Sequence, residues 1–522
     1  MSNLYYGSHR CRYCNWQFLE YLKEIKGIEF INNLWTSSSG DVLETMMKTG
    51  EWDLHTFGDI FADFATKNVT WDYQNGAVYR SVYGTQSSKN KHRWYTYLQE
   101  IDTSKNRYSV PFESAPQRYG YNLVRLYPQN GASTVTVRFR GCVQTENANP
   151  SYKKANQWEP QTIKLPGSDW RYALVTVTAA GKARYSDIKR FSDNAPDLTF
   201  DITGATEVYL VVAATPKVYS QIIWDQMYYT IYRYPWMVEI TGAKPQGFEP
   251  VTATGKTHTN GGGFVANTAT VASTAYVGPF ARVHAAKVQE NARIEDRAIV
   301  KARTISGNAI VKDNAMVAGG TVSGSAVIAD NAAVWDGSIS GNGRADGCAN
   351  VSQITVRDSG HIGGNCWVVS SVTLSGNAKM LGDGEIVASK SKGVHYGLID
   401  NSDEGNVGNS RTAPVKEVTG QGPFEWYEPD VPNSDYKMKR TVTADAPVRF
   451  EQNNGTVRII TQSLSHSAKI EINDVLGHLV WKGFLYQSNT VIPARIMQTD
   501  NLYVWKLNEK NYTHSGKILI MR

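Results

Sequence analysis

The stretch Ala292-Arg-Ile-Glu-Asp-Arg-Ala298-Ile-Val300-Lys-Ala-Arg-Thr-Ile305-Ser-Gly307-Asn308 is followed at once by Ala309-Ile-Val-Lys-Asp-Asn-Ala315-Met-Val317-Ala-Gly-Gly-Thr-Val322-Ser-Gly-Ser325, the same pattern 17 residues on. The repeat extends from Ala269 to Met380. Small residues recur at Ala275, Ala292, Ala309, Ala326, Gly343 and Gly360, and a second small series runs Ala281, Ala298, Ala315, Ala332, Ala349. An aliphatic residue follows two positions after nearly every one, as in Val277, Ile294, Val311 and Ile328, then Val283, Val300, Val317, Val334 and Val351. A third ladder is Val288, Ile305, Val322, Ile339 and Val356. Each period thus divides into six, six and five residues, which predicts three short strands per coil. One coil cannot bury its apolar side chains alone, whereas stacked coils share a continuous core. Gly307-Asn308, Asp313-Asn314, Asp330-Asn331 and Gly341-Asn342 fall at the corners, where these residue types tolerate tight turns.

The pattern resembles the hexapeptide-repeat left-handed β-helix with one side shortened by a residue. About six coils of 17 residues fit between residues 262 and 388. Hexapeptide acyltransferases share this coil and work with a histidine between subunits. The histidines in the coils here are His284 and His361. Neither has a ligand-like cluster beside it, so both are read as surface or corner residues.

A chain of 522 residues implies several domains. The net charge of +6 is small for this length and gives no argument for nucleic acid as a partner. Many Tyr (29), Trp (14) and Gly (44), with only 20% charged residues, suit an extracellular β-rich protein. Five cysteines make no paired framework, and no apolar run reaches membrane-spanning length. The chain opens Met1-Ser-Asn-Leu-Tyr-Tyr-Gly-Ser-His9-Arg-Cys11, without the basic and apolar regions of a signal peptide.

Along the chain, residues 1–100 read as α-helical. Phe18, Leu19, Leu22 and Ile25 form one stripe ending at Gly27, Asp41 and Glu44 are spaced like a capping box, and Leu54, Phe57, Ile60, Phe61 and Phe64 form another stripe. This short segment leaves apolar surface uncovered if it stands alone, and is read as the end of a larger domain. Cys11 and Cys14 with His9 nearby have the spacing of half a metal site or a redox pair. No second Cys-x-x-Cys and no surrounding βαβ unit accompany them, so they are read as two cysteines without partners. His55 beside the second stripe is read as a packed or capping histidine.

Residues 101–245 alternate as an antiparallel β-sandwich does, in Thr134–Arg140, Arg171–Thr178 and Glu207–Ala213. Its tryptophans Trp158, Trp170, Trp224 and Trp236 either stack on sugars or pack in the core, and strand tryptophans are more often core. Residues 241–263 form a Gly/Pro/Thr linker into the rod, and the polar residues 389–440 a cap and linker. Residues 441–522 alternate again as a small separate β-sandwich.

This last part resembles the C-terminal sorting domain of the type IX secretion system of Bacteroidota. The likeness rests on Ile470-Glu-Ile-Asn-Asp474-Val-Leu-Gly477-His478-Leu-Val480, then Asn501-Leu-Tyr503-Val-Trp505, then Gly516-Lys517-Ile-Leu-Ile520. Asn501 stands where the family usually has Gly, and both tolerate positive φ. The resemblance implies an exported protein, partnered by the type IX machinery and found outside the cell or on the outer-membrane surface. Export would also need a signal peptide, so the natural N-terminus is expected to lie upstream of Met1.

Residues 1–390 resemble the Svx/AvrXca family of secreted virulence-associated proteins. The carrying stretches are His9-Arg-Cys-Arg-Tyr-Cys-Asn15-Trp16-Gln-Phe18-Leu-Glu-Tyr21-Leu, Tyr228-Tyr-Thr-Ile-Tyr-Arg-Tyr-Pro235, and Gly261-Gly-Gly-Phe-Val-Ala266 with Thr274-Ala-Tyr-Val-Gly-Pro279. The resemblance implies a zinc metallopeptidase of the gluzincin type, acting on an extracellular protein or glycan substrate. Such enzymes need His-Glu-x-x-His, and none of the ten histidines here sits in one. No catalytic, cofactor or metal residue is therefore assigned. Zinc is implied only for the full-length family, and this chain is expected to be inactive as it stands. The helices would be the distal part of the peptidase domain. The expected fold is mainly β and multidomain: a short α-helical remnant, a β-sandwich, a left-handed β-helix and a C-terminal β-sandwich sorting domain. Two other functions fit less of the sequence: a surface adhesin or glycan-binding protein using the rod, and a β-helix acyltransferase.

Overall fold

The computed structural model describes residues 16–37, 42–141, 151–154, 157–162, 168–191, 197–216, 233–368, 371–381, 385–386, 388–396, 448–453, 456–461, 468–474, 479–485, 489–492, 501–509 and 512–520. It is mainly β, with few helices, and divides into two compact units, Met1–Asn433 and Ser434–Arg522. Among the described residues no helix is long and apolar enough to cross a membrane.

The first unit begins with α1 (Trp16–Lys26), α2 (Ile28–Thr36), α3 (Val42–Gly50), α4 (Leu54–Lys67), α5 (Gly76–Tyr83) and α6 (Ser88–His92). Gly27, at φ 84°, separates α1 from α2. The expected stripe of α1 is shifted: Phe18, Tyr21 and Leu22 are buried while Ile25 is exposed, because the i, i+3, i+4 face turns toward α4. Asp53 caps α4, its Oδ1 accepting from the Thr56 amide at 2.7 Å. Phe57, Phe61 and Phe64 of α4 pack around Phe18, as their spacing predicts. Asp41 of the expected capping box, with His9, Cys11 and Cys14, lies outside the described residues.

The helices do not form a core of their own. Tyr119 and Ala213 of the following sheet belong to the helical cluster, and α4 lies on strands Ala205–Pro216 and Ser168–Thr178. Those strands belong to a six-stranded antiparallel sheet, in the order Ala243–Pro245, Gly120–Pro128, Ala205–Pro216, Ser168–Thr178, Ala183–Tyr185, with Lys189–Phe191 also on Ser168–Thr178. A five-stranded antiparallel sheet runs Gln99–Asp102, Arg107–Ser109, Trp236–Thr241, Thr134–Gly141, Leu198–Asp201. Val124, Leu174 and Leu210 from one sheet meet Val137, Phe139 and Val238 from the other in one cluster. The opposite face of the six-stranded sheet, with Val175, Val177 and Val211, meets Ala65 of α4. Strand Ser168–Thr178 is consequently buried almost throughout instead of alternating. Trp170 and Trp236 are wholly buried in the shared core, which removes them as sugar contacts. The Trp236 Nε1–H donates to Asn122 Oδ1 at 2.7 Å. Trp224 and the side chain of Trp158 lie outside the described residues.

The rest of the unit is a β-solenoid. Its strands pair in parallel with the 17-residue register read from the sequence: Val277 with Ile294, Val283 with Val300, Ile305 with Val322. All three ladders and the small residues beside them are buried. One face stacks eight strands, from Tyr276–Val277 to Val394–Tyr396, which makes seven turns where about six were expected. The sequence count misses the last turn because the period slips: Ile362 pairs with Met380, and Met380 with His395. Stacking therefore continues past residue 388, into the segment read as cap and linker. Gly337 shows how tight the corners are. It has φ 96°, and a Cβ there would lie 2.1 Å from the Ile354 carbonyl oxygen.

In the second unit, Val448–Asn453, Thr456–Thr461 and Asn489–Ile492 form one antiparallel sheet, and Leu479–Leu485, Ala468–Asp474, Asn501–Glu509 and Tyr512–Ile520 another. Ile472 pairs with Trp505, and both are buried with Ile470.

Candidate functional site

The histidines singled out in the sequence are spread over the first unit. His284 lies beside Phe264 on the solenoid, and burial, with Lys301 and Arg282 nearby, lowers its pKa. His361 Nε2 is 2.8 Å from Asp346 Oδ1, and Arg344 also pairs with Asp346. Burial works to raise the Asp346 carboxyl, but His361 and Arg344 outweigh it and hold it below its usual value. His55 is neither packed in the core nor capping: its Nδ1 is 2.9 Å from Asp169, and its side chain is exposed. Asp169 pairs with Arg171, which is fully buried and pairs in turn with Asp59; Arg190 closes the network on Asp59. This chain of charges pins α4 to the six-stranded sheet. Among the described residues no three His, Cys, Asp or Glu side chains converge as metal ligands would.

The most developed meeting of chemically varied side chains is the seam where the helix-and-sheet body sits on the solenoid. The solenoid side is built by two outward rows at the repeat spacing. Arg297, Asn314, Asn331, Cys348 and Asn365 occupy one corner, and Ile299, Met316, Ala333, Asn350 and Trp367 follow on the adjoining strands. Met316, Ala333 and Asn350 point away from the solenoid core yet are buried, because the body covers them. The body contributes the segment from Lys89 to Glu100. Lys89 Nζ donates to Ser352 Oγ at 2.8 Å. His92 stacks on Tyr97, with ring centroids 4.2 Å apart, and meets the Trp335 ring edge-on at 5.3 Å. The Arg93 guanidinium lies 3.4 Å from the centre of the Trp367 ring. Glu100 accepts from both Nε and Nη2 of Arg297, at 3.1 and 2.6 Å.

Between these contacts lies a cavity of about 70 Å³, lined by Tyr97, Ser114, Asn331, Cys348, Asn350 and Trp367 among others. Its lining is mostly neutral. Burial, reinforced by Lys301, pushes the His92 imidazole down to about 3, so the ring stays uncharged. Burial likewise pushes the Cys348 thiol far above its usual range, so it is protonated at neutral pH. The arrangement hydrogen-bonds and stacks; it holds no activated acid, base or nucleophile.

No sequence reading pointed to this seam. A usable signal was present. Outward positions of a solenoid should be polar, and Ile299, Met316 and Ala333 break that rule at one repeat position.

Residues 1–247, the helices and both sheets of the body, match the model of a family described as a family of unknown function, DUF6055. No curated protein matches the chain.

Proposed function

We propose that this chain is a secreted or cell-surface protein of the Svx/AvrXca-like metallopeptidase kind, without the catalytic zinc half, in which the body and rod serve binding or support instead of hydrolysis. The observation that carries this reading is the exposed apolar surface of the helices: Trp35 is 76% exposed, and Ile28 and Val42 about half exposed. Helices ending a larger peptidase domain would carry such a surface. The lack of His-Glu-x-x-His supports inactivity of this chain. In keeping with the resemblances, we take the solenoid to be left-handed, the two-sheet body to be a β-sandwich, and Thr441 to Arg522 to be a type IX sorting module. The paired register of the tail's closing strands, Tyr503 with Ile518, is compatible with that assignment.

The sorting half of the proposal is tested by grafting residues 430–522 onto a periplasmic reporter with a signal peptide, in a host with the type IX machinery. The reporter is expected at the cell surface, and deletion of Gly516 to Arg522 should hold it in the periplasm. An intact graft that folds but stays periplasmic sinks the assignment. The inactivity of the chain is tested by a casein assay, and hydrolysis would overturn it. Metal analysis after dialysis tests the cysteines: stoichiometric zinc lost on mutating His9, Cys11 or Cys14 would overturn their reading as residues without partners.

One observation favours the adhesin reading. Thr304, Thr321, Ser338, Thr355 and Thr373 stack in register on another solenoid face, pointing outward and at least partly exposed. This neutral hydroxyl row, and not Trp170 or Trp236, is where a glycan would bind.

A further inference from the structure

The seam cavity holds polar groups that the protein itself does not satisfy. Asn331 is 8% exposed, and neither its Oδ1 nor its Nδ2 has a hydrogen-bond partner. Asn350 is 7% exposed, and its Nδ2 is also without one. Both line the cavity. At its edge, the Trp335 Nε1–H is buried without an acceptor. Buried amides left unpaired are costly, and native proteins rarely cluster them.

Size and chemistry decide what completes them. A cavity of about 70 Å³ is far below the several hundred Å³ of a typical small-molecule pocket, whereas it has room for roughly two to five waters. The lining offers amide donors and acceptors, the Ser114 and Thr96 hydroxyls and the Tyr97 ring; His92 and Cys348 are held neutral, and the charge on Arg93 is stacked on the Trp367 ring. Such a lining suits a guest that both donates and accepts and carries no charge. An apolar guest would leave the amides unpaired, a cation would face the Arg93 guanidinium, and an anion would lose its hydration for a lining whose one arginine is already stacked on Trp367.

We infer that the seam cavity is a built water site, in which a cluster of ordered waters bonded to Asn331 and Asn350 bridges the solenoid to the Arg93–Tyr97 segment of the body. The waters are a structural component of the seam, as necessary to it as the Arg93–Trp367 and Glu100–Arg297 contacts. They join two surfaces that meet without complementary side chains at this point. The row that carries Asn350 also carries Met316 and Ala333, so an apolar side chain is compatible with the solenoid there.

Two measurements test this. A crystal structure of the full chain, at a resolution that defines waters, should contain at least two waters within hydrogen-bond distance of the Asn331 and Asn350 side chains. An empty cavity, a direct Asn331–Asn350 pair or an organic molecule filling the space would overturn the inference. The variants Asn331→Leu and Asn350→Leu then separate a wet site from a dry one by sign. In a wet site each removes partners from bound waters and should lower the melting temperature by about 2–4 °C. In a dry site each removes an unpaired amide and fills space, so an unchanged or higher melting temperature would sink the proposal. Should either variant fail to fold, the native crystal structure still decides.

Discussion

Asp330 illustrates how one residue can serve the backbone and still cost stability. It sits at a solenoid corner with φ 56°, one turn above Asp313 and one below Gly347, both also at positive φ. Its Oδ2 accepts from the Gly347 amide at 3.0 Å, as Asp313 Oδ2 does from the Asp330 amide at 3.1 Å. Burial raises its pKa, and the neighbouring Asp313 and Asp346 add to the rise against the opposing Gly347 hydrogen bond. A carboxyl whose folded pKa is raised favours the folded state at low pH, and that contribution is lost as pH rises through the folded value. Asn tolerates positive φ and keeps an acceptor for Gly347 while removing the charge. Asp330→Asn should therefore gain up to about 1 kcal/mol at pH 7. The gain should disappear below about pH 4, where the carboxyl is protonated in both states. Urea melts at the two pH values check this, and a loss of stability at pH 7 would refute it. His92 acts with the opposite sign. Its folded pKa is depressed, so its share of the seam's stability is present at neutral pH and declines as pH falls below the ordinary histidine value.

At the scale of elements, the inward ladder Val283, Val300, Val317, Val334, Val351 is the solenoid's most demanding feature, since each is wholly buried on its neighbours above and below. Val317→Asp puts a carboxylate where no partner or water can reach, and should cost more than about 4 kcal/mol. A variant that melts like the parent would mean the stacking is wrong. This ladder was legible in the sequence because a repeat states the same environment several times over, and chance agreement across three ladders is small. Other elements state theirs once. Ile28 to Thr36 is not marked out as a separate helix within the α-helical reading of residues 1–100, since only Phe30 and Leu34 are buried on it. Strand Ser168–Thr178 carries apolar residues on both faces, which alternation alone cannot explain; the reason is α4, more than a hundred residues earlier in the chain. The seam was illegible for the same reason. Asn331 and Asn365 look like ordinary corner residues until the body is seen to cover that corner.

At the scale of the whole molecule, the number of cooperative blocks follows from which cores share residues. In Met1–Asn433 the helical cluster takes in Tyr119 and Ala213 from the six-stranded sheet, and Leu381 and Val394 from the end of the solenoid pack against it. The Glu100–Arg297 and Arg93–Trp367 contacts tie body to rod a second time. The helices thus have no core of their own, and the sheets and the solenoid, each with its own core, are joined through these shared side chains and seam contacts. Ser434–Arg522 has its own buried residues in Ile470, Ile472 and Trp505, and its two antiparallel sheets close within it. Calorimetry of the full chain should accordingly record two transitions, a large one for Met1–Asn433 and a small one for Ser434–Arg522. Removing Ser434 to Arg522 should abolish the small transition and move the large one by no more than about 2 °C, the size of shift a fraction of a kcal/mol makes in a large domain. Two or more transitions in the truncated chain would mean that the shared side chains do not couple body and rod, and a large transition that collapses on truncation would mean that the tail is part of the first unit's stability.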